Sequence, residues 1–290
     1  MDAGHRFLGR SGRRLGWALS SALVACTFLV EIPLAQQGAP QRLNRIIEQF
    51  EKGQASYAGE HWQLTSLEHD PFLVDNLETN LAAVQSKGGA RPELTPIVRL
   101  AHEGDQEFKH VVKQFLDVGA FGVILPHVNT AEEVLKLVTA MRYPNQRGAQ
   151  YLFPPGVRGS GAGGALRVWG ISADEYSRKA DVWPLHPQGE LLAMIMIETR
   201  EAVERIDELL AVPGLGGVMI GASDLSLSLG VGTPAPQPDH PETEAAIDRV
   251  AKACVAKKTV ICGTFQAADL KMRLNQGFKL YTRAGDPAYQ

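Results

Sequence analysis

Four residues with acid–base or ion-binding side chains stand at the ends of short apolar runs. His69 follows the run 62–67, Arg99 ends the run 96–98, Glu198 ends the run 191–197, and Asp224 follows the run 217–220. Parallel strands of a barrel present their carboxyl ends on one face, and barrel active sites collect there. Singly, each residue has an ordinary structural interpretation, such as a surface histidine, an ion-pair partner or a helix-capping carboxylate. Their shared position at the ends of different runs favours a common site.

The pair Glu198 and Asp224 predicts a site for a divalent cation. Carboxylates without a Cys or His cluster suit Mg²⁺ or Mn²⁺, with Co²⁺ as a further candidate. Two carboxylates leave positions open for water and for a 2-oxo-acid, and a cation there stabilises the enolate that forms when a carbon–carbon bond breaks. Arg99 adds positive charge beside that enolate. The backbone amides of Ser223 and Asp224, if they open a helix, are placed to hold the substrate carboxylate.

Short apolar runs and amphipathic helical patterns alternate along the chain, as in parallel strands joined by helices. Apolar residues recur at helical spacing in two segments, at Phe108, Val111, Val112 and Phe115 and at Ile247, Val250, Ala251 and Cys254. Thr130 and Glu133 form a capping box after the run 121–125. A first helix is predicted over 42–52, and further strands over 259–262 and 279–281. The pattern predicts an α/β protein with a (β/α)8 TIM-type barrel.

One long segment, 144–190, interrupts this alternation and is rich in Gly and Pro. Loops of this length in compact domains are commonly functional. Three aromatic side chains, Trp169, Tyr176 and Trp183, give the segment something to pack with. It is therefore interpreted as an ordered lid with a short helix at 172–179. Its glycine-rich stretch 156–164 is not a P-loop, because no Lys-Ser or Lys-Thr follows.

The first 35 residues have the features of a signal peptide. Four arginines precede an apolar run from Leu15 to Val30, and small residues follow near Ala35. The alternatives are an uncleaved membrane anchor, a lipoprotein box ending at Cys26, and a twin-arginine signal. The expected organisation is a signal peptide at 1–35, a linker at 36–41 and a barrel domain at 42–290. The protein is expected to be periplasmic or secreted, meeting a membrane only through a retained or lipidated leader.

Composition argues against nucleic acid as a partner. The chain carries a net charge of -3, and beyond residue 35 it holds 25 basic and 30 acidic side chains. Binding to phosphates needs clustered Lys and Arg. Cys254 and Cys262 lie in the predicted barrel without a CxxC or Cys/His cluster. Buried free thiols are the default interpretation, with a single disulfide in an oxidising compartment as the alternative.

An ordered series of short motifs resembles the HpcH/HpaI aldolase family, which contains 4-hydroxy-2-oxoheptanedioate aldolases, and the resemblance covers about residues 42–285. The motifs are Ser66-Leu-Glu-His69, Thr95-Pro-Ile-Val-Arg99, Phe115-Leu-Asp-Val-Gly119, Ile124-Leu-Pro126, Met141-Arg-Tyr-Pro144, Val157-Arg-Gly159, Ile197-Glu-Thr-Arg200 and Ile220-Gly-Ala-Ser-Asp-Leu-Ser226. The resemblance implies a class II, metal-dependent lyase that cleaves a hydroxy-oxo-acid to pyruvate, or a related 2-oxo-acid, and an aldehyde. It further implies a homo-oligomer.

The resemblance also implies roles for single residues. Glu198 and Asp224 would be the metal ligands, and Arg99 would contact the pyruvate part of the substrate. His69 and Asp117 would form a dyad that works with a water molecule in proton transfer. A carboxylate that orients an imidazole is chemically sensible in that role. Without the resemblance, Asp117 is an ordinary acidic residue at the end of a helix.

Three features depart from the family pattern. Met196 stands where the family usually has a substrate-contacting Gln. Only fifteen residues separate Gly53 from His69, so the first βα unit is expected to be shortened, and a terminal helix after 281 is not expected.

Two other functions are kept as alternatives. One is a citrate-lyase or acyl-CoA-lyase type of activity, although no basic patch for a CoA phosphate is visible. The other is a secreted, non-catalytic binding protein on the same fold.

Overall fold

The computed structural model describes residues 41–69, 74–83, 91–232, 235–265 and 270–282. The chain divides into two compact units, Met1–Pro40 and Gln41–Gln290, and the described residues all belong to the second. The predicted signal peptide and nearly all of the predicted linker lie outside the described residues, as does the chain after Thr282, where a terminal helix was not expected. Within the described ranges, no helix combines the length and apolar character that a membrane span requires.

Eight parallel strands form a nearly closed barrel. They are β1 (Ser56–Tyr57), β2 (Trp62–Ser66), β3 (Thr95–Arg99), β4 (Gly122–Leu125), β5 (Leu192–Ile197), β6 (Leu215–Ile220), β7 (Ile261–Thr264) and β8 (Leu280–Tyr281). Their spatial order is β1-β8-β7-β6-β5-β4-β3-β2. Only an isolated bridge between Ala58 and Trp62 joins the first two strands. The predicted (β/α)8 TIM-type barrel is confirmed.

Helices cover the outer face of the strands, which explains why most strand residues are apolar and buried. The helices are α1 (Arg45–Glu51), α2 (Val74–Ala83), α3 (Lys109–Val118), α4 (Ala131–Met141), α5 (Gly163–Trp169), α6 (Ala173–Lys179), α7 (Arg200–Glu204), α8 (Ile206–Leu210), α9 (Ala222–Ser228), α10 (Pro241–Ala256) and α11 (Leu270–Asn275). Every residue of β5 and β6 is buried, because one face meets the barrel interior and the other meets helices. The predicted capping box at Thr130 and Glu133 opens α4.

The first βα unit is shortened, as predicted. Residues 58–61 connect β1 to β2 directly, without a helix. Helix α1 instead precedes the barrel and packs Ile46 and Ile47 into the inner core with Trp62 and Trp183. Its backbone at Arg45 donates a hydrogen bond of 2.8 Å to the Thr95 side chain, at the first residue of β3. Helix α1 therefore covers the amino-terminal end of the barrel, which leaves the carboxyl end for the site.

The segment 144–190 is ordered, but it is not a lid over the carboxyl ends of the strands. It begins where α4 ends and finishes where β5 begins, so it lies on the amino-terminal side of the barrel, because α4 runs antiparallel to the strands. Trp169 stacks on Phe121 with 3.9 Å between ring centroids. Ser172 caps α6 at the predicted place, whereas α5 begins at the end of the glycine-rich stretch and continues to Trp169, where no helix was predicted. The interpretation as a lid is wrong.

Cys254 of α10 and Cys262 of β7 form a disulfide, so the default interpretation as free thiols is also wrong. Both residues are buried.

We expect the Cys254→Ser/Cys262→Ser variant to lose about 2–3 kcal/mol of unfolding free energy, because the cross-link closes a short loop of the unfolded chain. Urea denaturation of the variant and the wild type, both without reductant, measures this loss. Equal midpoints for the two proteins would show that the disulfide contributes nothing.

Candidate active site

Four loops at the carboxyl ends of β2 to β5 bring a group of polar side chains together. Glu68 and His69 follow β2, Arg99 is the last residue of β3, His127 follows β4 by two residues, and Glu198 follows β5 directly. Parallel strands in register make these positions neighbours, since Ser66 pairs with Arg99 and Arg99 with Ile124. The predicted placement of Arg99 and Glu198 at one end of the barrel is therefore what the structure shows.

Glu198 lies at the centre of this group and is almost completely buried, with 1% of its surface exposed. The backbone N–H of His127 donates a hydrogen bond of 3.0 Å to Glu198 Oε2. On the other side, a side chain at Gly221 would place its Cβ 2.2 Å from Glu198 Oε1, so any other residue there would displace the Glu198 side chain. Burial raises the pKa of Glu198 to about 7; the His127 N–H opposes this rise, and the nearby carboxylates of Glu68 and Asp224 add to it.

Glu68 and His127 complete a cluster around Glu198 that the sequence interpretation did not identify. His127 Nε2 lies 3.8 Å from Glu68 Oε1 and 3.9 Å from Glu198 Oε2. One ligand atom from each residue lies within 4.8 Å of the others, which makes the three a candidate metal-binding triad. A divalent cation fits this donor set, since it would offset the repulsion that a buried carboxylate experiences from its acidic neighbour.

Arg99 lies beside the triad and is held from several directions. Its Nε and Nη2 donate hydrogen bonds of 3.0 and 2.8 Å to Ser66 Oγ, and its Nη1 lies 2.5 Å from Glu68 Oε2. The Phe265 ring lies 5.4 Å from the guanidinium carbon, and Met196 Sδ is 3.9 Å from Nη1. Only 5% of Arg99 is exposed. Its positive charge is thus fixed next to the acidic cluster, where an anionic substrate would arrive.

Ser223 and Asp224 belong to the first turn of α9, directly after β6. Ser223 is exposed and Asp224 is half-buried. Asp224 is near enough to raise the pKa of Glu198, although it is outside the triad of Glu68, His127 and Glu198. The predicted neighbourhood of Glu198 and Asp224 agrees with this geometry. Their roles as metal ligands, and the contacts of Ser223 and Asp224 with substrate, stay predictions.

His69 and Asp117 are not brought together within the chain. The His69 side chain is 68% exposed, and its Nε2 lies 3.7 Å from Glu68 Oε2. Asp117 lies near the end of α3, which runs back to the amino-terminal side of the barrel, and it pairs with Arg158 at 2.9 Å and Lys113 at 3.3 Å. The predicted dyad therefore does not form in this geometry, and the catalytic roles of His69 and Asp117 stay predictions.

We expect cation affinity to depend on pH through Glu198. Below its pKa of about 7, the folded chain holds a proton on Glu198 that a cation must displace. Affinity should rise about tenfold per pH unit up to pH 7 and level off above it. Calorimetry from pH 5.5 to 8.5, in buffers of different ionisation enthalpy, measures both the affinity and the proton released. A flat affinity profile with no proton release would contradict this assignment.

Comparison with known sequences places the chain in a family. Residues 53–280 match the model of a family described as HpcH/HpaI aldolase/citrate lyase. The chain is similar to a 2-keto-3-deoxy-L-rhamnonate aldolase of Klebsiella pneumoniae, with 35% identity over 67% of this chain. A protein of the same name from Salmonella schwarzengrund is also 35% identical, over 69% of this chain. The chain spans about 62 to 63% of the length of these relatives.

Solved structures agree on the fold. An HpcH/HpaI aldolase from Desulfitobacterium hafniense superposes with a TM-score of 0.66 and 23% identity, over 84% of this chain and 91% of the other. An HpcH/HpaI aldolase/citrate lyase family protein from Burkholderia cenocepacia superposes with a TM-score of 0.68 and 22% identity, over 85% of this chain and 94% of the other. The match of the family model over most of the barrel, together with the relatives, shows that the chain belongs to the HpcH/HpaI aldolase/citrate lyase family.

Proposed function

We propose that this protein is a divalent-metal-dependent aldolase that cleaves a hydroxy-oxo-acid to pyruvate, or a related 2-oxo-acid, and an aldehyde. The observation that carries the proposal is the buried carboxylate of Glu198 in a cluster with Glu68 and His127, directly beside Arg99. The relatives named 2-keto-3-deoxy-L-rhamnonate aldolase support a 3-deoxy-2-oxo sugar acid as the substrate class. Mg²⁺ or Mn²⁺, with Co²⁺ as a third candidate, is the proposed cation.

The residues divide the chemistry between them. Glu198, with Glu68 and Asp224 beside it, would hold the cation, which supplies a positive charge for the oxygen that becomes negative as the carbon–carbon bond breaks. Arg99 binds the 2-oxo-acid part of the substrate and adds positive charge that is already in place before the reaction. Ser66 holds the guanidinium of Arg99 in its orientation through two hydrogen bonds. Met196 gives the inner wall an apolar surface next to Arg99.

His69 is the proposed proton-transfer residue, because its exposed imidazole stands at the mouth of the barrel beside Glu68. We expect His69→Ala to lower kcat by about 10²–10⁴-fold while cation affinity stays within a few-fold of wild type. The measurements are steady-state kinetics, calorimetry and a melting curve on one preparation. A lower melting temperature with unchanged turnover per folded molecule would instead make His69 a structural residue.

A screen for pyruvate release tests the proposed function. The purified protein is incubated with a panel of hydroxy-oxo-acids that includes 2-keto-3-deoxy-L-rhamnonate and with citrate, each with and without EDTA. We expect EDTA-sensitive release of pyruvate from at least one 3-deoxy-2-oxo acid. Citrate cleavage releases oxaloacetate and acetate instead of pyruvate, so oxaloacetate is measured in parallel with malate dehydrogenase and NADH. Cleavage of citrate alone would favour the citrate-lyase type of activity. Binding of the acids without any cleavage would favour the non-catalytic binding protein.

We further propose that the protein acts outside the cytoplasm, in the periplasm or as a secreted protein. The basic and apolar character of residues 1–35 motivates this proposal, and the disulfide between Cys254 and Cys262 supports it, because disulfides persist in oxidising compartments. Mass spectrometry of the protein from its native host should find a mature terminus near Gln36. An intact amino terminus on protein from the cytoplasmic fraction would contradict the proposal.

A further inference from the structure

His127 contributes the imidazole of the candidate triad, and this ring faces both acidic residues of the cluster. Its Nε2 lies 3.8 Å from Glu68 Oε1 and 3.9 Å from Glu198 Oε2. These separations are too long for hydrogen bonds. Two ligand atoms on opposite sides of one ion lie roughly 4.2 Å apart when each bond is about 2.1 Å long, and both His127 distances are shorter than this. Such spacing suits three ligand atoms arranged around a cation.

The backbone at His127 is held in an uncommon conformation that aims this side chain. Its φ of 49° is in the left-handed region, which few non-glycine residues adopt. Strain of this kind persists where surrounding structure over-determines it, and it concentrates at functional sites. The His127 N–H is bonded to Glu198 Oε2, so one hydrogen bond fixes the histidine backbone and the central carboxylate together. The His127 side chain is 30% exposed, which leaves it accessible from the barrel mouth.

We propose that His127 binds the cation directly through Nε2 and that this imidazole makes the site selective for a first-row transition ion over Mg²⁺. Carboxylates and water suit Mg²⁺, whereas a neutral imidazole is a good ligand for Co²⁺, Ni²⁺ and Zn²⁺ and a poor one for Mg²⁺. A site of two carboxylates and one imidazole therefore binds Co²⁺ more tightly than a site of oxygen ligands alone. The inference rests on the cation site of the proposed function and adds a ligand and a preference to it.

The test uses the cation-stripped full chain and its His127→Asn variant. Asparagine tolerates the left-handed backbone and keeps the N–H bond to Glu198, but it removes the imidazole nitrogen. We expect His127→Asn to weaken Co²⁺ binding at least tenfold in calorimetry and to change Mg²⁺ binding less than threefold. The visible absorption bands of bound Co²⁺ should shift in the variant. His110→Asn, at an exposed histidine of α3, is the matched control and should leave both cations unaffected.

Two results would overturn the inference. One is unchanged Co²⁺ affinity and absorption in His127→Asn, and the other is an equal loss for Co²⁺ and Mg²⁺, which would assign His127 a role in positioning Glu198 only. The readouts separate this inference from the proposed function. Pyruvate release with no effect of His127→Asn on binding refutes the inference alone. Co²⁺ binding that depends on His127 in a protein without lyase activity refutes the function alone.

Discussion

Glu198→Gln should weaken cation binding by about 100-fold or more and reduce lyase turnover to background. The substitution keeps the shape of the side chain but replaces the only fully buried carboxylate of the cluster with a neutral amide, which is a weaker ligand. Calorimetry on the cation-stripped protein and a pyruvate-release assay measure the two losses. Asp224→Ala should act in the same direction on both readouts if Asp224 is also a ligand. Wild-type cation affinity in Glu198→Gln would show that Glu198 does not bind the cation.

The same substitution should make the cation-free protein more stable, which separates loss of a ligand from misfolding. The raised pKa of about 7 means that the folded chain prefers a protonated Glu198. Between the unfolded value near pH 4.5 and the folded value near pH 7, ionisation progressively destabilises the folded state, and the full cost is present above pH 7. Glu198→Gln removes that cost, on the order of 3 kcal/mol at pH 8. Glu201→Gln, at an exposed carboxylate on α7, is the control and should change neither stability nor binding.

Arg99→Lys should lower kcat/KM by about 10²–10³-fold and leave cation affinity within a few-fold of wild type. Lysine keeps the positive charge beside Glu68 but lacks the planar guanidinium. It therefore cannot donate two hydrogen bonds to Ser66 while it presents a fixed charge to the substrate. Fixed donors aimed at developing charge commonly contribute a factor of this size. The loss should be divided between KM and kcat, because Arg99 meets both the ground state and the transition state.

Steady-state kinetics with saturating cation measures this effect, and calorimetry on the same preparation checks the cation site. Arg249→Lys, at an exposed ion pair with Asp207, is the matched control and should leave kcat/KM unchanged. Near wild-type kcat/KM in Arg99→Lys would show that Arg99 only balances the charge of Glu68. A parallel loss of cation affinity would instead show that Arg99 organises the acidic cluster.

The barrel was predictable because its signals are local. Parallel strands covered on both faces are largely apolar, and the helices between them show their own periodicity, so seven of the eight strands were predicted. The positions of Arg99 and Glu198 followed, since a residue that ends a barrel strand faces the carboxyl end. Strand β1 was missed, because Ser56 and Tyr57 do not form an apolar run.

The remaining features depend on how the chain turns and how its elements pack, which local sequence patterns do not show. His127 joins the site only because its backbone turns left-handed after β4, and no spacing indicates such a turn. Asp117 lies away from His69 because α3 reverses the direction of the chain. The segment 144–190 was misinterpreted as a lid because α4, in the same way, returns the chain to the amino-terminal side of the barrel. Cys254 and Cys262 lie in different elements, so their pairing depends on how α10 packs against β7.

Restoring a cation to the stripped protein tests the central claim most directly. The full chain is freed of cations with EDTA, dialysed, and assayed for pyruvate release from 2-keto-3-deoxy-L-rhamnonate while Mn²⁺ or Co²⁺ is added in steps. We predict no release before addition, recovery that saturates near one tightly bound cation per chain, and no recovery in Glu198→Gln. Pyruvate release at full rate from the stripped wild type, or equal recovery in Glu198→Gln, would contradict a cation-dependent lyase centred on Glu198.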